Sequence, residues 1–175
     1  EKELSALGVK VKSFQSDAAN AKACEDLVNA VVVEFGIVDV LVNNAGLVCP
    51  KQTTVDGHDM MVQSNHLGHF LLTNLLWNNN LLSDSCRVVN VSSMLHAKGQ
   101  FRFDAMHYPP EEYMRFSVYN DTKLMNVAFS CELNRRFVRS RSDRRSIALH
   151  PVCIDLFFFF PPSPTTSHWV LVRPF

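Results

Sequence analysis

Three short apolar runs, each running straight into a polar or small-residue cluster, constrain this chain more than any other feature. Val38 to Val42 leads into Asn43-Asn44-Ala45-Gly46, Arg87 to Val91 into Ser92-Ser93, and Ser146 to Leu149 into His150-Pro151. An earlier run, Val9 to Phe14, ends in Gln15-Ser16-Asp17. Helical spacing fills the intervals. Ala23, Leu27, Ala30, Val31 and Phe35 recur on one face from Ala21 to Phe35, and Gly36 is a C-terminal stop. His58 to about Trp77 and Tyr119 to about Phe137 read as two further helices, and Met94 to Val118, with its Pro, His and aromatic residues, as an excursion loop. The order is β-α-β-α-β-loop-α-β, which predicts an α/β protein with a parallel sheet and right-handed crossovers. Val38 to Val42 is expected to be buried on both faces, as a central parallel strand would be.

In such a sheet every strand's carboxyl end lies on one edge, and ligands bind beyond that edge. Asp17, Asn43 to Gly46, Ser92-Ser93 and His150-Pro151 all fall there. The rest of the composition narrows the alternatives. Lys and Arg number 17 against 17 Asp and Glu, so no net field draws the chain to nucleic acid or an anionic surface. The longest apolar run, Val152 to Phe160, is too short for a membrane span, which needs about 20 residues. Glu1 to Lys12 does not read as a secretory signal. The five cysteines, Cys24, Cys49, Cys86, Cys131 and Cys153, are scattered and form no Cys-x-x-Cys pair, which suits a reduced, cytoplasmic or cytosol-facing setting. His66 and His69 share a helical face but lack a nearby third ligand, so they read as packing residues and no metal site is expected.

Tyr119 and Lys123 are four apart on one helix and therefore lie on the same face. An ammonium beside a phenol favours the phenolate, which makes Tyr119 a candidate general acid/base.

Four motifs surround this pair in a fixed order: Asn-Asn-Ala-Gly at Asn43 to Gly46, Asn65-His66-Leu67-Gly68-His69-Phe70 on the next helix, Val-Asn-Val-Ser-Ser at Val89 to Ser93, and Tyr119-x-x-x-Lys123. Together they resemble the short-chain dehydrogenase/reductase family. Asn65 to Leu76, the long loop between serine and tyrosine, and Lys123-Leu124-Met125-Asn126 resemble its retinol-dehydrogenase-like branch, which includes the WW-domain oxidoreductases. The resemblance implies a Rossmann-type doubly wound sheet and hydride transfer between NAD or NADP and a small lipophilic alcohol or carbonyl compound, such as a retinoid or steroid. It implies that Tyr119 exchanges a proton with substrate, that Lys123 bonds the nicotinamide ribose, that Ser93 donates to the substrate oxygen, and that Asn65 holds a relay water by distorting its helix. Asn43, Ala45, Gly46 and Pro151 would line the cofactor and Asp17 would sit beside the adenine. A homo-oligomer is a further expectation. Bland structural readings stand beside these: Ser92 and Ser93 as turn residues, Asn65 as a polar helix residue, Asp17 as a helix N-cap.

The family's glycine-rich phosphate loop has no counterpart among the six glycines, and the Pro-Gly turn after the last strand reads Pro151-Val152. The expected organisation is therefore residues 1–151 as a partial dinucleotide-binding domain, without the first β-α-β and the C-terminal elements, and residues 152–175 as an atypical low-complexity tail. Phe157 to Phe160 and Pro161-Pro162-Ser163-Pro164 are encodable by pyrimidine-rich codons, and a retained intron would account for them. The prolines are expected to keep the tail from repairing the sheet. A non-catalytic partner of a full-length subunit is the alternative role. Arg135 to Arg145, with six Arg and one Asp, reads as a solvated helix end rather than a nucleic-acid patch.

Overall fold

The computed structural model describes residues 6, 8–102, 108, 110, 113–151 and the backbone of the strand at 167–172. The excursion loop in part, and most of the expected tail including Val152 and Cys153, lie outside the described residues.

Strand β1 (Val11–Ser16) precedes helix α1 (Ala21–Phe35), whose first turn is capped by Asn20, with Oδ1 accepting from Ala23 N at 3.1 Å. The expected Asp17 cap is thus supplied three residues later. Gly36 ends α1 at φ 74°, a conformation that favours glycine. Strand β2 (Val38–Asn43) follows directly.

The stretch expected to form one helix from His58 to Trp77 is divided. Asp59 caps a single turn, α2 (Met60–Val62), a π turn spans Gln63–Leu67, and regular helix resumes as α3 (Gly68–Asn78). Strand β3 (Leu82–Val91) is longer than its apolar core at Arg87 to Val91. A 3-10 turn (Met94–Lys98) starts the excursion, and α4 (Arg115–Arg139) begins a turn before Tyr119. Strand β4 (Arg145–Leu149) closes the expected series, and β5 (Ser167–Val172) lies beyond it.

The main sheet is parallel with order β2-β3-β4. Its register pairs Asn43 with Asn90 and Asn90 with Ala148, so segments 44–46, 92–93 and 150–151 leave along one edge. This is an incomplete Rossmann fold. Strand β1 is not in that sheet; it pairs antiparallel with β5 from Val11–Val172 to Ser16–Ser167. The expectation that the tail could not pair is corrected here. Pro161, Pro162 and Pro164 precede the strand and Pro174 follows it, so Ser-His-Trp-Val-Leu-Val keeps every backbone donor.

Helices cover one face of the main sheet. Leu27, Val28, Val31 and Phe35 of α1, Leu72 and Leu76 of α3, and Leu133 and Phe137 of α4 meet Val38, Leu41, Leu82, Cys86 and Val88 in one core. Trp77 packs edge-on to Phe137 with centroids 5.1 Å apart. Among the described residues the opposite face is uncovered: Val40 is 51%, Val42 48% and Ile147 52% exposed. Burial of Val38 to Val42 on both faces is therefore incorrect for this chain, because α1, α3 and α4 all pack on the same side.

Toward the carboxyl edge this core turns polar. Asn43 Nδ2 donates to Thr73 Oγ1 at 3.0 Å and to Asn90 Oδ1 at 2.9 Å. Asn90 Nδ2 donates to Ser146 Oγ at 3.2 Å, and the Ser146 and Ser130 hydroxyls bond at 2.9 Å. Polar groups this deep require partners, and the chain of bonds fixes the strands and α4 in register.

The arginine-rich segment is taken up by local pairs. Glu132 holds Arg135 and Arg136, Asp84 holds Arg144, and Asp143 holds Arg87 and Arg145. Among the described residues no helix is long and apolar enough to cross a membrane.

Candidate active site

Lys123 is the centre of the site. It is only 4% exposed, and burial pushes its amine down to about 8. Its Nζ donates to Val91 O at 3.1 Å and lies 5.5 Å from the centroid of the half-buried Tyr119 ring. The helical spacing thus brings the two side chains together as expected.

Asn65 lies within the π turn, where the sequence reading expects a distorted helix. A π turn removes one i→i+4 bond and re-aims the residues within it, and such turns concentrate at functional sites. The fully buried Asn65 side chain grips the loop after β2 at both of its polar atoms: Leu47 N donates to Oδ1 at 2.8 Å and Nδ2 donates to Leu47 O at 3.0 Å. Nδ2 also reaches Thr122 Oγ1 at 3.2 Å, and that hydroxyl donates to Tyr119 O at 2.7 Å. The loop, the π turn and the tyrosine helix are joined here.

Gly46 sits against this junction. A Cβ built on it would lie 3.4 Å from Asn65 Oδ1 and 3.5 Å from Lys123 Nζ, so the missing side chain leaves open the space above the amine. Ala45 beside it packs onto the main core.

The two serines divide their roles. Ser92 is buried and donates to Lys123 O at 2.8 Å, a structural bond to α4. Ser93 is half-buried and caps the 3-10 turn, its Oγ accepting from Leu95 N at 3.2 Å. Because that bond uses a lone pair, the Ser93 proton is left to donate. Met94 N donates to His150 Nδ1 at 3.1 Å, tying the end of β3 to the end of β4 next to the exposed Pro151.

Other candidates are placed differently. The Asn43 side chain is turned into the buried polar chain, so only its backbone is offered to the sheet edge. Asp17 follows β1 in the second sheet, and its Oδ1 accepts from Ala19 N at 2.8 Å. No hydrogen bond among the described residues brings Asp17 to Tyr119 or Lys123. His69 is buried and pushed down to about 3 by burial and then by the Lys123 charge, so it is neutral. His66 bonds Asn126.

Sequence reasoning assigned no role to Thr122, Asn126 or Asp121. Asp121 is buried and holds the excursion loop, accepting from Gln100 N at 2.7 Å and Tyr108 OH at 3.1 Å, with Arg102 Nε at 3.4 Å. For Thr122 and Asn126 the available signal was spacing: with Val118 and Ser130 they form an inward stripe of α4.

A model of the short chain dehydrogenase family matches residues 1–106, and the chain belongs to that family. Within it the chain is retinol-dehydrogenase-like. It is 40% identical to human retinol dehydrogenase 13 over 142 residues, covering 81% of this chain and 42% of that protein. It is 34% identical to human retinol dehydrogenase 12 over 160 residues, 91% of this chain and 50% of that protein. The chain therefore spans half or less of those relatives' length. Among solved structures, an uncharacterised protein from Mycobacterium paratuberculosis superposes with a TM-score of 0.70 at 37% identity, over 78% of this chain and 48% of that one. A short-chain dehydrogenase from Burkholderia cenocepacia in complex with NADP superposes at 0.66 with 23% identity, over 86% and 56% of the two chains, a likeness of fold.

Proposed function

We propose that this chain carries the proton-handling half of an NAD- or NADP-dependent oxidoreductase acting on a lipophilic alcohol or its carbonyl, in the manner of a retinol dehydrogenase. The observation that carries it is the buried Lys123 amine beside Tyr119 under the open space left by Gly46. The nicotinamide, when bound, supplies or accepts the hydride. Gly46, with no side chain over the amine, would let the ribose approach, and Lys123 Nζ would hold its hydroxyls. Tyr119 OH passes a proton to or from the substrate oxygen, helped by the neighbouring ammonium. Ser93 donates its free proton to the same oxygen and orients it. Asn65 holds the loop at Leu47 so that Gly46 stays over Lys123. Leu47, Met61, Val62, Val118 and Tyr119 form a second apolar cluster, which suits a lipophilic substrate.

The phosphate end of the cofactor finds no glycine-rich turn in this sequence. Binding by the chain alone is accordingly expected in the millimolar range, about 4 kcal/mol or less. Calorimetric titration with NADH and NADPH tests this: measurable millimolar binding that Lys123→Met abolishes supports the reading, and binding indifferent to Lys123 refutes it.

The bare sheet face at Val40, Val42 and Ile147 favours a second reading, a non-catalytic pairing partner of a full-length subunit. A cytoplasmic or cytosol-facing place suits either reading.

A further inference from the structure

One buried side chain outside the proposed reaction reaches two of the backbone carbonyls around Lys123. Asn126 is 1% exposed, on the inward stripe of α4 and three residues after the lysine. Its Nδ2 donates to Asn65 O at 2.9 Å and reaches Val91 O at 3.4 Å. Val91 O is the acceptor that also receives Lys123 Nζ at 3.1 Å. The other end of the amide, Oδ1, lies 3.0 Å from His66 Nδ1.

These bonds admit one orientation of the amide. Two carbonyl oxygens face one end, so that end must be the NH2 group; the oxygen then faces His66, whose Nδ1 must be the donor. His66 is itself held between the rings of Phe70 and Phe129, with centroids at 6.3 and 6.1 Å. The amide is therefore locked from behind. In front it supplies a donor to the backbone carbonyl of the π-turn residue whose side chain holds Leu47, and it occupies one side of the carbonyl on which the lysine rests.

We propose that Asn126 is a positioning residue for Lys123: with His66 fixing its amide, it pins the π-turn carbonyl of Asn65 and the Val91 carbonyl in one place, and so sets where the lysine ammonium stands beneath Gly46. The role in catalysis rests on the proposed oxidoreductase reading, but the positioning itself is a property of the unliganded chain. Without the Asn126 donor, Asn65 O and Val91 O lose a partner among buried residues, which drives water or backbone movement toward them. Either change hydrates the lysine.

The test follows the Lys123 amine in the cofactor-free chain, through the pH dependence of its acetylation by acetic anhydride, read residue by residue by mass spectrometry. In the parent the amine should titrate near about 8. Asn126→Leu, close in size but without the donor, should raise that titration by about one unit toward the ordinary lysine value. His66→Asn, which keeps a donor near the Nδ1 position, should leave it in place, whereas His66→Leu should raise it. Should Asn126→Leu fail to fold, Asn126→Ala, with room for a water, is read the same way. A lower melting temperature with Lys123 titrating as in the parent would assign Asn126 a purely structural role and overturn the proposal. NADPH titration of the same samples separates the two ideas: a shifted Lys123 in a chain that binds no dinucleotide leaves the positioning standing and removes the oxidoreductase reading.

Discussion

Gly46 stands directly over Lys123: a Cβ on the glycine would come within 3.5 Å of the amine Nζ, an ordinary van der Waals contact with no clash. Gly46→Ala should therefore fold normally, with stability changed by about 0.5 kcal/mol or less, while filling the space assigned to the cofactor ribose. Calorimetry should show dinucleotide binding weakened at least about tenfold, roughly 1.4 kcal/mol. Unchanged binding would place the ribose elsewhere.

Gly68 tests packing instead of binding. A Cβ there would lie 2.3 Å from the backbone oxygen of Ala18, and backbone cannot step aside as a side chain can. Gly68→Ala must push α3 away from the loop that follows β1, at a cost of about 1–3 kcal/mol for overpacking. Urea denaturation should show the midpoint falling by the corresponding amount; a parent-like midpoint would mean that the helix and loop are not in contact.

Much of this was legible in the sequence because local signals and tertiary demands agreed. Helix α1 has its read bounds, Ala21 to Phe35, since its apolar period and the following Gly point the same way, although its cap is Asn20 and not the expected Asp17. Tyr119 and Lys123 were found because helical spacing alone makes them neighbours. Asn65 was expected to distort its helix, and it sits in a π turn. Other features depend on what faces what. Nothing local distinguishes Ser92, which bonds the Lys123 carbonyl, from Ser93, whose proton is free, and nothing local turns Asn43 toward Thr73 and Asn90. The exposure of Val40 and Val42 has the same origin: an apolar strand reads alike whether helices cover one face or two. Pairing of β5 with β1 was not legible because Pro161, Pro162 and Pro164 remove donors just ahead of Ser167, whereas the six residues that pair include no proline.

His69 should make the fold sensitive to acid. It is buried and neutral, pushed down to about 3, whereas in the unfolded chain it titrates near its ordinary 6.5. Between those values the unfolded state binds more protons, so this residue's contribution to stability falls as the pH drops through that window. Going from pH 7 to pH 5 should cost about 2 kcal/mol through His69 alone. In His69→Leu the difference between the urea-derived stabilities at the two pH values should shrink by that amount. An equal pH dependence in both proteins would show that His69 is accessible to protons in the fold.

The uncovered sheet face should make the chain associate. Val40, Val42 and Ile147 present an apolar surface next to the outer edge of β2, and such surfaces recruit further chains. Size-exclusion chromatography should show oligomers or aggregates at micromolar concentration, and Val40→Thr with Val42→Thr should shift the profile toward monomer. A sharp monomer peak for the parent would show that the face is covered.

Label transfer tests the central assignment most directly. The chain is incubated with millimolar NADPH deuterated at the transferable position and with a lipophilic aldehyde such as retinal, and the alcohol is analysed by mass spectrometry. Deuterium should appear in the alcohol, and Tyr119→Phe should reduce the rate by about 10²-fold or more, the scale for loss of a positioned acid/base group. No transfer at millimolar cofactor, or transfer at the parent rate in Tyr119→Phe, would contradict an oxidoreductase site built on Tyr119 and Lys123.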